Sequence, residues 1–422
     1  MRYLRCHLAG GRPRRGMVAV QVVFTLVPLL CVAAFAIDGG LLMDAHQRVQ
    51  VAADASALAA AADLYQNYPT NSGKDTGGTA LASAVDSAIA NGFTSSNSTI
   101  TVNMPPTTGS FIGKDGFVEV VIQFNQARGF SAVMGSGTIP VAARAVARGL
   151  WTTFGNGIIV LAPTGNGTLI DSGSGSVTVN GGNIVVDSNG VDAAEVTGSG
   201  SIKAAAFVIT GVPGDLTTGS GRFIGGINSG ATPTVDPLNY LNAPPSPTPT
   251  NSRFSLNGSS SVTINPGVYV GGISVSGSGS LTLNPGIYIM QGGGFSVSGS
   301  GSVTGNGVML YNAPQTLSDT INLTGSGSVT LTPPSSGSYR GITIFQDRTA
   351  TAPVNIRGSG SMNITGTLYA PHATMNIQGS GGVGPIGSQY ISYNLNVSGS
   401  GNLVVSWNST GTSRTRTIGL VE

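Results

Sequence analysis

Residues 273–297 read Ile273-Ser-Val275, then Ser276-Gly277-Ser278-Gly279-Ser280, Leu281-Thr-Leu283, Asn284-Pro285-Gly286, Ile287-Tyr-Ile289, a Gly-rich turn and Phe295-Ser-Val297. Apolar residues hold alternate positions in each short segment, the period that turns one face of a strand into a core. Ser-Gly runs and Asn-Pro-Gly supply the bends. Three strands and three turns make one coil of a parallel β-helix. One coil cannot bury its apolar row alone; stacked coils do so, with strands about 4.8 Å apart.

The motif recurs. Gly-Ser-Gly-Ser or a near variant begins at Gly173, Gly198, Gly277, Gly299, Gly325, Gly358, Gly379 and Gly399, with looser copies at Gly219 and Gly258. Two inward rows follow. Ile273, Phe295, Ile321, Val354, Met375 and Leu395 align on one sheet, and Leu281, Val303, Val329, Met362, Val383 and Leu403 on the next. Between them Thr178, Thr263, Thr282, Thr304 and Thr330 point outward. The expected fold is mainly β: a right-handed parallel β-helix of about 20–25 residues per coil, preceded by a transmembrane helix and a small α+β region. Nine or ten coils would make a rod of about 45 Å. Proline cannot sit in a central strand, so 231–250, with Pro244-Pro245-Ser-Pro247-Thr-Pro249, is expected to be a linker dividing block 151–230 from block 251–422. The open ends need caps, and Trp407 to Glu422 is the candidate.

Composition agrees with an ordered β structure. The 422 residues include 64 Gly and only 9% charged residues, yet 40% are hydrophobic, which argues against a disordered Gly-rich chain. No basic stripe supports nucleic-acid binding. Two cysteines, Cys6 and Cys31, make no disulfide scaffold.

The N-terminus is different in kind. Arg2, Arg5, Arg12, Arg14 and Arg15 form a basic leader over 1–16. Met17 to Ile37 carries no formal charge and spans about 30 Å as a helix, the thickness of a bilayer core. Asp38 and Asp44 follow. The charge bias places the N-terminus in the cytoplasm and the bulk of a bitopic protein outside it, in the periplasm or on the surface. The alternative is secretion after signal cleavage near Ala34-Phe35-Ala36. Leu41 to Leu64 is Ala-rich and continues as helix. Ala80 to Ala90 reads as a second helix, and Ile100-Val102 and Phe117–Ile122 as strands, within a region spanning 38–150.

Arg14-Arg15-Gly16, an apolar helix, Asp38-Gly39-Gly40 and Val49-Gln50-Val51-Ala52-Ala53-Asp54-Ala55-Ser56-Ala57-Leu58-Ala59-Ala60-Ala61 together resemble the TadE/TadG-like family of tight-adherence (Flp) pilus assembly. Phe130–Gly135 and Ile139–Ala147 extend the resemblance to residues 14–148. It implies a bitopic pseudopilin or pilus-associated envelope protein, with prepilin-type processing between Gly16 and Met17. Gln21 stands where family members usually carry Glu; read from the residues alone, it is a polar side chain at headgroup level.

No cofactor-binding or metal motif is found: no Cys/His spacing for a metal, and no Gly-Lys-Ser/Thr for a phosphate loop. Glycan chemistry needs clustered carboxylates, but 251–422 holds only Asp319, Asp347 and Glu422, with His372 as its one histidine. Asp347-Arg348 reads as a solvated surface pair. The first block holds Asp171, Asp187, Asp192, Glu195 and Asp215. The expected function is therefore non-enzymatic: a membrane-anchored structural component of a Tad/Flp-type pilus or related apparatus, with a rigid β-helical contact domain. Its expected partners are the membrane and pilus-assembly or other envelope proteins. The alternatives are a surface adhesin touching glycans through the Thr row, and a carbohydrate-active β-helix. Threonine is also simply a good exposed strand residue.

Overall fold

The computed structural model describes residues 15–133, 135–246, 251–358, 361–379 and 386–422. The chain divides into two compact units, Met1–Leu150 with Thr417–Glu422, and Trp151–Arg416. The leader Arg2–Arg14, Cys6 and Val383 lie outside the described residues.

In the first unit one helix, α1, runs from Arg15 to Asn71 without a break, 57 residues or about 85 Å. It passes straight through Gly39-Gly40, as the expected continuation of the helix over 41–64 requires. Beyond Asp44 it buries Ala45, Val49, Ala52, Ala53, Ala57, Ala60, Ala61 and Leu64, one stripe at helical spacing. These face α2 (Thr79–Ala90) and an antiparallel sheet of β1 (Ser98–Asn103), β2 (Phe117–Ala127), β3 (Thr138–Thr152) and a C-terminal strand, Thr415–Leu420. The alanines matter for distance as well as helix propensity. A Cβ on Gly149 of β3 would fall 1.8 Å from the Ala61 carbonyl, so helix and sheet backbones nearly touch.

The second unit is a parallel β-solenoid. Three strands per coil are seen in Ile273–Val275, Ser280–Leu283 and Gly286–Gln291, and the next coil pairs with each in parallel register. Both expected inward rows hold wherever the residues are described: Ile273, Phe295, Ile321, Val354, Met375 and Leu395 are consecutive partners, as are Leu281, Val303, Val329 and Met362. The third sheet adds an inward row of Tyr288, Leu310, Ile344, Leu368, Tyr390 and Ile158, all fully buried. Each such side chain contributes about 1.5–3 kcal/mol by leaving water. Tyr288 Oη keeps its hydrogen bonds by donating to the Ile264 and Asn284 carbonyls at 2.8 and 2.9 Å. The Ser-Gly turns have a packing cause: a Cβ on Gly299 would sit 2.1 Å from the carbonyl oxygen of Gly277 one coil away.

The stacking order differs from the chain order. The first-sheet ladder runs Phe254, Ile273, Phe295, Ile321, Val354, Met375, Leu395, Leu169, Ala194, Asp215, ten rungs in all. The last rung built by the C-terminal block therefore pairs with the first rung of the N-terminal block, and the chain enters the stack in its middle. The two expected blocks stack as one solenoid. Within the described part of the expected linker, 231–246, Leu238 and Leu241 are buried against the outer face of the third sheet. This strap exists because that sheet is apolar on both sides: Val268, Ile289, Tyr311, Phe345, Tyr369, Ile391 and Ile159 form an outward row.

Trp407–Glu422 does not cap an end. Its first part lies mid-stack, where Trp407 N donates to the Asn180 carbonyl at 3.0 Å and Ser413 Oγ to Gln389 Oε1 at 2.9 Å. Its last residues join the first unit, so the solenoid ends at Arg416 and not at 422. The end strand Arg222–Ser229 is blunted instead by a bulge between Ile224 and Gly226, and by Asp215 in the last place of the inward row beside it.

Candidate functional site

Gly16 and Met17 stand in the first turn of α1, and Gln21 one turn further on; Gln21 is exposed. Most of the apolar side chains that follow are exposed: Phe24 is 76% exposed and Phe35 83%. Such a run is long and apolar enough to cross a membrane, with a mean hydropathy of 2.5 in its best window. Pro28 lies inside it, and Thr25 Oγ1 donates to the Gln21 carbonyl at 3.0 Å. One helix thus has two chemistries, lipid-compatible on all sides up to about Ile37 and core-forming on one stripe beyond Asp44.

Four of the five expected threonines form a continuous ladder. Thr263 pairs with Thr282, Thr282 with Thr304 and Thr304 with Thr330, on the outer face of the second sheet. Asn363 follows. Thr178 is apart: it lies on the same face, but its neighbours are Val404 and Lys203.

A second ladder escaped the sequence reading. The central residues of the first-sheet strands stack as Ser255, Ser274, Ser296, Asn322, Asn355, Asn376 and Asn396. Asn376 Nδ2 donates to Asn355 Oδ1 at 2.9 Å, and Asn396 Nδ2 to Asn376 Oδ1 at 3.1 Å, an amide ladder along the stack. The signal was present in Ile-Ser-Val, Phe-Ser-Val, Ile-Asn-Leu, Val-Asn-Ile and Leu-Asn-Val, read there only for its apolar flanks. Past Asn396 the row becomes Ile170, Glu195 and Leu216. The uncharged hydroxyl and amide surface is therefore confined to rungs built by residues 254–396.

The charged groups are bound up elsewhere. Asp347 and Arg348 do not pair with each other. Tyr311 Oη donates to Asp347 Oδ2 at 2.5 Å, while Arg348 Nη1 meets Asp236 Oδ2 of the strap at 2.9 Å. Arg348 Nη2 also donates to the Leu238 and Leu241 carbonyls, and Tyr369 Oη to Asp236 at 2.7 Å. Burial and the Asp236 carboxylate push the Tyr369 phenol far up, which keeps it a donor. Asp319 accepts from the Gln315 and Thr316 amides in its own loop. His372 is exposed and stacks on Tyr393.

In the first block Asp187 is 4% exposed and takes one hydrogen bond, from Thr234 N at 2.8 Å; desolvation raises its pKa to about 6. Asp171 sits in an aliphatic row between Val397 and Val196, its pKa raised by burial and its Oδ2 without a hydrogen-bond partner among the described residues. In the first unit Glu119 is fully buried. Burial alone would raise its pKa, but Thr107, Thr108, Asn103 and Arg144 all donate to it and hold it well below the carboxylate range. Arg144 also reaches Glu422 at 2.7 Å.

Among known families, the model of the Tad family, described as Flp pilus-assembly TadE/G-like, matches residues 16–63. The matched stretch is the apolar half of α1 and nearly all of its Ala-packed stripe, from Ala45 to Ala61. No curated protein and no solved structure matches the chain.

Proposed function

We propose that the protein is a membrane-anchored component of a Tad-type pilus or a related surface apparatus, with α1 as a bitopic anchor and the solenoid as an extracytoplasmic contact body. One observation carries this reading: the family match at 16–63 covers the exposed apolar helix and the helix that packs against the α+β unit, one continuous element. The orientation, N-terminus inside, follows from Arg12, Arg14 and Arg15 before the apolar run and Asp38 and Asp44 after it. Processing between Gly16 and Met17 would leave the helix intact and remove only the basic leader.

The test is genetic and biochemical together. The full-length protein should stay with membranes under alkaline extraction, and its loss should abolish surface pili or the adherence they confer. Restored adherence by a chain lacking residues 156–406 would refute a contact role for the solenoid. Extraction into the soluble fraction would refute the anchor.

A second reading, an adhesin contacting surface glycans, is favoured by the paired Ser/Asn and Thr ladders, which offer regularly spaced neutral donors and acceptors with almost no charge. A catalytic role ranks last, because Asp236, Asp319 and Asp347 are each engaged by the fold's own donors.

A further inference from the structure

We propose that the turn Phe130–Val133 is a second membrane contact, seated in the lipid headgroup zone beside the exit of α1, where it fixes the depth of the helix. The proposal rests on the membrane-anchor reading of α1. Exposed apolar side chains do not stop at Asp38: Leu41 is 41% exposed and Met43 70%. From Val20 to Met43 the helix rises about 35 Å, somewhat more than the roughly 30 Å of a hydrocarbon core. Asp38 therefore falls at the lipid boundary, where a bare carboxylate is costly.

It is not bare. Phe130 N donates to Asp38 Oδ1 at 2.8 Å and Ser131 N to Asp38 Oδ2 at 2.6 Å. Gly129 allows the approach, since a Cβ there would lie 2.4 Å from Asp38 Oδ1. The turn is thus latched to the helix at the level where lipid ends. Its aromatic ring is not spent on the core: Phe130 is 49% exposed, and Ala132 is exposed too. Arg128, just before the turn, is half-buried, and with the Ser131 hydrogen bonds its charge helps to hold the Asp38 carboxyl below the usual carboxylate range. An apolar tip, a neighbouring guanidinium and continuity with a lipid-facing helix together match the boundary of a bilayer.

The full chain, with Cys6→Ser and Cys31→Ala, is reconstituted into vesicles of zwitterionic and anionic phospholipid. An environment-sensitive fluorophore is attached in turn at Phe130→Cys, Ala132→Cys, Leu26→Cys and Thr282→Cys. The expected result is blue-shifted emission at Phe130→Cys and Ala132→Cys, quenched more by nitroxides near the headgroup than at mid-chain. Leu26→Cys should show the reverse depth preference and Thr282→Cys neither. Adding Asp38→Ala should lower quenching at Phe130→Cys and leave Leu26→Cys unchanged. If Leu26→Cys is quenched while both turn positions behave like Thr282→Cys, the second contact is overturned and the anchor stands. If Leu26→Cys is not quenched, the anchor falls and this proposal with it.

Discussion

The first two sheets of the solenoid and the third share one interior but meet the outside differently. On the first and second sheets the middle residue of each strand is Ser, Thr or Asn over the rungs from Phe254 to Leu395, and those faces are left open. On the third the corresponding row is Val268, Ile289, Tyr311, Phe345 and Tyr369, and a separate stretch of chain covers it. A single alternate position thus decides whether a coil face becomes a bare surface or a second core. The cover is held by polar contacts as well as apolar ones, since Arg348 grips Asp236 and two strap carbonyls.

The largest expected effect breaks the covered face. Leu238→Asp puts a charge where the side chain is 0% exposed and should cost about 3–5 kcal/mol, read as a lowered Tm and earlier proteolysis at 231–246. An intermediate effect sharpens the comparison at Asp187, where the strap begins. Its folded pKa, about 6, lies above the unfolded value, so the fold binds the proton more tightly. The desolvation cost is therefore fully present above about pH 6 and is relieved as pH falls toward about 4. Asp187→Asn should stabilise by on the order of 1–2 kcal/mol at pH 7.5, with the gain vanishing near pH 4 in parallel thermal melts. The smallest effect is on the open face: Thr304→Ala should change stability by less than about 0.5 kcal/mol. A destabilisation as large as that of Leu238→Asp would mean that the Thr ladder is a structural element and not a free surface.

Much of this was legible because period-2 alternation and repeated Ser-Gly turns carry register on their face. Ile273, Phe295, Ile321, Val354, Met375 and Leu395 could be aligned before any coordinates. Coil order could not, because every rung offers similar aliphatic edges, and nothing local in Leu395 or Leu169 says that they are partners. The strap was missed for a related reason. Pro-rich composition excludes a central strand but does not say what the segment covers, and Leu238 and Leu241 follow no strand or helix period that would mark them as buried. The Asn ladder is present in the sequence, but its residues are the polar middles of strands whose alternation is set by the flanking Ile, Val and Leu. At the N-terminus the apolar run, the Ala-rich segment and their continuity as helix were all legible, and α1 shows that Gly39-Gly40 does not interrupt them.

The pairing of Leu395 with Leu169 has a consequence for biogenesis. Partners roughly two hundred residues apart must wait for one another, and closing so long a loop is slow. As the polypeptide emerges from a ribosome or is threaded through a translocon, rungs from 156–229 appear first with one flank unmatched. They are completed only when 389–406 arrive. Completion of that part of the stack therefore waits for 389–406, and truncation products that stop short of residue 389 are expected to be the species in greatest need of a holdase.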